Sequence, residues 1–123
     1  MVHLDTNFLI LSLIPGTTQD QRLRGWIASG EKLGVNTIAW TEFLCGPVQG
    51  EAIAAASILL PNPEPFLPSD AVREAELFNL TGRRRGSLID CMIAAVSIQH
   101  NVQLATENAS DFRRFEQFGL RLA

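Results

Sequence analysis

Three carboxylates lie in the most apolar stretches of the chain, whereas most of its 13 acidic residues have polar neighbours. These three are Asp5, Glu42 and Asp90. Moving a carboxylate out of water is costly unless a cation, several hydrogen bonds or a proton compensates, so each of them needs a partner. Carboxylate oxygens bind hard divalent cations, and a carboxylate can also take a proton in catalysis. These residues are therefore the first candidates for a functional site.

Helix capping is the competing explanation for each acidic residue taken alone. Asp5 precedes a predicted helix and could cap it. The segments Ser87-Leu-Ile-Asp90 and Asn108-Ala-Ser-Asp111 have the spacing of a capping box, in which the acidic side chain reaches back to the helix start. Glu42 could lie on a solvent-facing helix surface. A shared location in the fold would distinguish a chemical role from separate structural ones.

The apolar periodicity predicts short strands alternating with helices, which is typical of an α/β fold with a mainly parallel sheet. No repeat or linker divides the chain, so we expect one domain over residues 1–123. Strands are predicted at residues 2–4, 33–38, 102–106 and 120–122. Helices are predicted at about residues 8–13, 18–28, 39–45, 48–60, 69–80, 87–100 and 108–118.

The predicted elements bring sequence-distant acidic residues together. Asp5, Glu42 and the segment Asn108–Asp111 each follow a predicted strand, and parallel strands place their carboxyl ends at one edge of the sheet. Carboxylates gathered at one edge repel one another, and the usual relief is a hard cation such as Mg²⁺ or Mn²⁺. His3 and His100 receive no role in this interpretation.

Composition narrows the class of protein. Hydrophobic residues make up 46% of the chain and charged residues 19%, as in a globular protein. The apolar run Phe8–Ile14 is too short to span a membrane, and the N-terminus lacks the basic residues of a secretory signal, so we expect a cytoplasmic protein. Cys45 and Cys91 are both interpreted as buried apolar residues. The net charge of -3 does not exclude RNA, because it counts carboxylates that a cation would neutralise.

Four motifs, in this order along nearly the whole chain, resemble those of PIN domains. In particular, the chain is similar to the VapC-like group, the toxin ribonucleases of type II toxin-antitoxin systems. The motifs are Leu4-Asp5-Thr6-Asn7, Thr41-Glu42-Phe43, the segment Asp90–Ala95 and the segment Ala105–Phe112. The resemblance implies a three-layer α/β/α sandwich with a short, mainly parallel central sheet.

The resemblance also implies a Mg²⁺- or Mn²⁺-dependent endoribonuclease that leaves 5′-phosphate and 3′-hydroxyl ends. Asp5, Glu42 and Asp90 would bind the metal, directly or through water. The fourth acidic position of the family normally follows a Thr-x pair directly, where this chain has Asn108, and Asp111 lies three residues later. Because residues three apart share a helix face, either could complete the site, and we favour Asp111 for its charge.

The expected roles are as follows. The catalytic residues are Asp5, Glu42, Asp90 and Asp111; the metal ligands are Asp5, Asp90 and Asp111; the supporting residues are Thr6, Thr106 and Asn108. The only basic cluster, Arg83, Arg84 and Arg85, is flanked by glycines and could contact RNA phosphates or simply be solvated.

The resemblance further implies two protein partners: a cognate antitoxin whose basic residue enters the acidic site, and a second copy of the chain in a homodimer. Two other functions stay open. One is a catalytically impaired PIN scaffold that binds RNA or a partner protein. The other is a phosphatase with an aspartate nucleophile, which is disfavoured because such enzymes have a second Asp where this chain has Asn7.

Overall fold

A parallel four-stranded sheet forms the centre of the molecule in a computed structural model that describes residues 1–123. The strand order is β2-β1-β3-β4, and every neighbouring pair is parallel. The strands are short, as predicted: β1 (Val2–Leu4), β2 (Leu33–Gly34), β3 (Gln103–Ala105) and β4 (Arg121–Leu122).

Seven α-helices and one 3₁₀ helix connect the strands. Their bounds are α1 (Thr6–Ser12), α2 (Thr18–Ala28), α3 (Thr37–Cys45), α4 (Gly50–Leu59), α5 (Pro68–Leu80), α6 (Leu88–Gln99), α7 (Ala109–Phe112) and the 3₁₀ helix Arg113–Phe118. None of these helices has both the length and the apolar character that crossing a membrane requires.

The strand order explains the layered architecture. The chain leaves β1 toward one edge for β2, then returns past β1 to β3 and continues to β4. Right-handed crossovers in opposite directions place their helices on opposite faces of the sheet. The fold is thus the three-layer α/β/α sandwich expected from the sequence. Twenty buried apolar residues form its core, including Phe8, Phe43, Phe112 and Phe115, each fully buried.

The predicted strand 33–38 is wrong beyond Gly34. The Asn36 side chain accepts a hydrogen bond from the Ala39 backbone N–H at 2.8 Å, so Asn36 caps α3 and the helix begins at Thr37. The β-branched Thr37 and Ile38 suggested a strand, but this cap outweighs their local preference. Glu42 consequently lies within α3 rather than just after a strand.

Other sequence predictions also need correction. The helix expected at 48–60 begins only at Gly50, and the one expected at 108–118 divides into α7 and the 3₁₀ helix. Cys91 is buried as expected, but Cys45 is exposed. Cys45 ends α3 two residues after the buried Phe43, which places it on the opposite side of the helix.

His3 in β1 should contribute a loss of fold stability as the pH falls. The His3 ring is 1% exposed, and burial, followed by the nearby His100 and N-terminal charges, lowers its pKa from 6.5 to about 4. Below pH 6.5 His3 is protonated in the unfolded chain, whereas in the folded chain it becomes protonated only near pH 4. We expect this group to remove about 2 kcal/mol of unfolding free energy between pH 8 and pH 5.

Urea unfolding of the wild type and of His3→Gln at the two pH values measures this contribution. The difference between the proteins isolates His3 from other titrating groups, some of which act in the opposite direction. Equal pH dependence in both proteins would show that His3 is not responsible.

Candidate active site

Asp5 is held where β1 and β3 end, at the point where the chain connections diverge to opposite sides of the sheet. Its backbone N–H donates to the carbonyl of Ala105 at 2.9 Å. Oδ1 accepts from the Thr6 backbone N–H at 2.7 Å, so Asp5 does cap α1. Oδ2 accepts from the Thr106 hydroxyl at 2.9 Å. Open parallel sheets place their ligand sites at such a crevice.

The Thr6 hydroxyl connects Asp5's helix to α3. Its oxygen lies 3.1 Å from the carbonyl oxygen of Ala39 and 3.2 Å from Oε1 of Glu42. Glu42 itself is exposed, at the surface of α3 that adjoins α1. Thr6 thus places the Glu42 carboxylate beside the Asp5 end of the sheet.

Asp90 lies in the first turn of α6 and is not engaged in a capping box. The Ser87 hydroxyl donates to the Arg84 carbonyl at 2.7 Å, and Ser87 makes no side-chain cap bond. The nearest ionic partner of Asp90 is Arg114, with 3.8 Å between Nη2 and Oδ2. The Asp90 carboxylate is therefore available for another ligand.

The end of β3 supplies the remaining predicted residues. Thr106 both donates to Asp5 and accepts from the Asn108 backbone N–H at 3.0 Å. Asn108 precedes α7 without a side-chain cap bond, and Asp111 is exposed in the first turn of that helix. Asp111 lines the same small cavity as Asp90, whereas Asn108 does not.

The electrostatics link all four acidic residues. Burial raises the pKa of Asp5, against the hydrogen bonds from Thr106 and Thr6. Loss of hydration raises the pKa of Glu42, and the charges of Asp5 and Asp90 raise it further. Burial also raises the pKa of Asp90; Arg114 opposes this shift, and the charges of Asp5 and Asp111 add to it. These carboxylates are close enough to repel one another, which separate helix caps would not require.

A divalent cation fits the chemistry of this site, provided that water completes its coordination. The structure contains no group of three or more Asp, Glu, His or Cys side chains arranged to hold a metal by themselves. Mg²⁺ usually binds to one or two carboxylates and keeps several waters. Each Asp5 oxygen accepts one hydrogen bond and retains a second acceptor position. The oxygen donors and their mutual repulsion therefore suit a partly hydrated Mg²⁺ or Mn²⁺.

The predicted basic cluster divides into two parts. Arg84 and Arg85 line the cavity beside Asp90 and Asp111. Arg83 instead donates to Oδ1 of Asn79 at 2.6 Å and lies over the Phe78 ring at 5.6 Å.

A third arginine of this cavity, Arg114, was not anticipated from the sequence. Its position three residues after Asp111, on a shared helical face, was the available signal.

Comparison with known structures shows the same fold in several toxin-antitoxin complexes. The Klebsiella pneumoniae toxin-antitoxin complex is 25% identical, with 91% of this chain and 90% of that chain covered and a TM-score of 0.71. VapBC2 from Rickettsia felis, bound to a promoter DNA fragment, is 20% identical, with coverages of 100% and 98% and a TM-score of 0.75. VapC20 from Mycobacterium tuberculosis, described as a sarcin-ricin loop cleaving toxin, is 17% identical, with coverages of 100% and 98% and a TM-score of 0.69.

Sequence comparisons give the family directly. A search of curated proteins finds no match. The family model for the PIN domain matches residues 2–117, nearly the whole chain, in agreement with the sheet order and the motifs described above. The chain belongs to the PIN-domain family.

Proposed function

We propose that this protein is a Mg²⁺- or Mn²⁺-dependent endoribonuclease and the toxin of a toxin-antitoxin pair. The observation that carries the proposal is the gathering of carboxylates from four distant stretches of the chain at one sheet edge, where they repel one another. Membership of the PIN family and the likeness to toxin structures support it. A repulsive cluster destabilises a fold and is typical of a site that binds a cation.

In this proposal Asp5, Asp90 and Asp111 bind the cation, and Glu42 contacts it directly or through water. Thr106 holds Asp5 in place, and Thr6 holds Glu42. Asn108 supports the turn that leads from Thr106 to Asp111. The bound cation would stabilise the charge that develops on the phosphodiester and lower the pKa of the attacking water.

Asp90 serves as the general base when water attacks the phosphodiester. Asp90 accepts the proton of the attacking water, whose oxygen forms the new bond to phosphorus. The bond from phosphorus to the 3′-oxygen breaks, that oxygen takes up a proton from solvent water, and Asp90 later returns its proton to solvent. The products carry 5′-phosphate and 3′-hydroxyl ends.

Two protein partners are proposed, an antitoxin and a second copy of this chain. An antitoxin with a basic residue would neutralise the acidic cluster, and the structural relatives are toxin-antitoxin complexes. We also propose a homodimer, with exposed apolar residues such as Leu80, Leu88 and Ile89 at the junction of α5 and α6 as candidates for its interface.

Incubation of structured RNAs with the purified protein tests the proposed function. We expect cleavage with Mg²⁺ or Mn²⁺, none after EDTA, and recovery when the metal is added back. The new 5′ ends should accept a ligated adapter without prior phosphorylation.

The two alternative functions give different results in the same experiment. A PIN scaffold without activity would retain RNA without producing fragments under any metal condition. A phosphatase would form a covalent phosphate on Asp5, detectable by mass spectrometry. Cleavage that persists in EDTA would contradict metal dependence.

A further inference from the structure

A cavity of about 160 Å³ adjoins the acidic cluster and contains no apolar residue. Three arginines and two aspartates contribute its charges: Arg84, Arg85, Arg114, Asp90 and Asp111. The arginines therefore outnumber the carboxylates, although the chain as a whole is negative. This cavity is a local site of positive charge next to an acidic one.

Arg114 is held in this cavity with unused hydrogen-bonding capacity. Its side chain is only 16% exposed, and its guanidinium lies 4.6 Å from the centre of the Phe115 ring. Both Nε and Nη2 are buried without a hydrogen-bond partner, and the 3.8 Å separation from Asp90 is too long for one. These two nitrogens have almost no accessible surface in the free protein, and buried donors are nearly always paired, so we expect the guanidinium to turn toward an acceptor that enters the cavity.

The missing ligand should be an anion with several oxygens. A guanidinium fork binds phosphate or carboxylate through two parallel hydrogen bonds, and packing on an aromatic ring fixes the plane of that fork. Asp90 lies on the wall of the cavity, so an anion bound there is adjacent to the position of the reacting group. In an RNA strand the group adjacent to the reacting phosphodiester is the next phosphate.

We propose that Arg114, with Arg84 and Arg85, forms a subsite for the phosphate next to the one that is cleaved. This inference rests on the proposed function for the identity of the ligand as RNA. Arg114 is a positioning residue here: it fixes the register of the strand and does not touch the reacting atoms. Of the three arginines in the basic loop, Arg84 and Arg85 belong to this subsite and Arg83 does not.

RNA binding by a protein that cannot cut provides the test. Fluorescence anisotropy with a labelled single-stranded RNA is measured for Asp5→Asn alone and with Arg114→Met, which keeps the packing on Phe115. We expect the second change to weaken binding about tenfold. The slope of log affinity against log salt should decrease by roughly 0.7, the contribution of one single-strand phosphate contact.

Arg113→Met is the matched control, because Arg113 is the adjacent residue, is exposed and makes no ion pair or side-chain hydrogen bond. Adding it to Asp5→Asn should change affinity much less than Arg114→Met does. Equal losses from the two changes would mean general attraction to the chain's positive charge and would overturn the subsite. An affinity unchanged by Arg114→Met would overturn it too and would favour a protein carboxylate as the ligand.

Kinetics in the active protein separate positioning from chemistry. Arg114→Met should raise KM about tenfold with little change in kcat, and Arg114→Lys should recover part of the loss because it keeps the charge without the fork. A fall in kcat at constant KM would contradict the subsite. If the wild type fails to cut RNA but the Arg114 dependence of RNA binding holds, the proposed function fails, and the arginines stand as a binding site for an RNA phosphate without a neighbouring cleavage site.

Discussion

Replacing Asp5 with Asn should reduce RNA cleavage on the order of 10³-fold. The change removes the charge of the residue that lies at the centre of the site, between the ends of β1 and β3. It also preserves the shape of the side chain, and the Asn oxygen can still accept the bond from the Thr6 N–H that caps α1. The loss should therefore come from chemistry and not from unfolding.

Initial cleavage rates and thermal denaturation of the same samples check this expectation. Without metal, Asp5→Asn should unfold close to the wild-type temperature, because the lost charge no longer repels Glu42 and Asp90. Glu51→Gln, an exposed change in α4 whose charge is not among those that shift the pKa of these carboxylates, serves as the control and should cut at the wild-type rate. A rate for Asp5→Asn within tenfold of the wild type would argue against a central role.

Divalent cations should raise the unfolding temperature of the wild type. A ligand at 100 times its dissociation constant adds about 2.7 kcal/mol to the unfolding free energy. For a chain of this size that corresponds to a shift of about 10 °C. The physical reason is that a cation compensates the carboxylates for lost hydration, which is the main cause of the raised pKa of Glu42 and Asp90, and also relieves their mutual repulsion, which adds to it.

Thermal denaturation with increasing Mn²⁺, starting from EDTA-treated protein, measures the effect. Asp90→Asn should lose most of the shift, and Glu51→Gln should retain it. If Asp90→Asn showed the full wild-type shift, the cation would be binding elsewhere. This measurement needs no RNA, so it tests the site independently of the substrate.

Sequence patterns were reliable where local and tertiary signals agree. The first elements were predicted in the right order: the apolar run predicted β1, the carboxylate of Asp5 predicted a helix cap, and the apolar residues after it predicted α1. The parallel sheet then followed from the alternation of elements. The alternation predicted that Asp5 and the segment after β3 share one sheet edge, and the observed strand order, which was not predicted, brings Asp5 and Thr106 into contact across 101 residues.

The errors arose where one local signal outweighs another. Thr37 and Ile38 have β-branched side chains, yet the Asn36 cap starts α3 before them. Spacing alone suggested that Ser87 and Asp90 form a capping box, but the Ser87 hydroxyl bonds to the Arg84 carbonyl. The spacing of residues does not determine which hydrogen-bond partner a serine hydroxyl takes in the fold.

Arg114 illustrates what only three-dimensional structure can add. Its sequence neighbours Arg113 and Phe115 give no sign that it is enclosed, because burial depends on the turn from α7 into the 3₁₀ helix. That turn also brings Asp111 to the cavity of Asp90, in favour of Asp111 over Asn108 at the fourth acidic position.

Anomalous diffraction from a crystal soaked in Mn²⁺ is the most direct test that carboxylates from distant stretches form one metal site. We expect a peak in contact with Asp5 and Asp90, with Glu42 or Asp111 reaching it directly or through water. The peak should be absent in Asp5→Asn. A Mn²⁺ peak away from these carboxylates, or none at a concentration that supports cleavage, would contradict the proposed site.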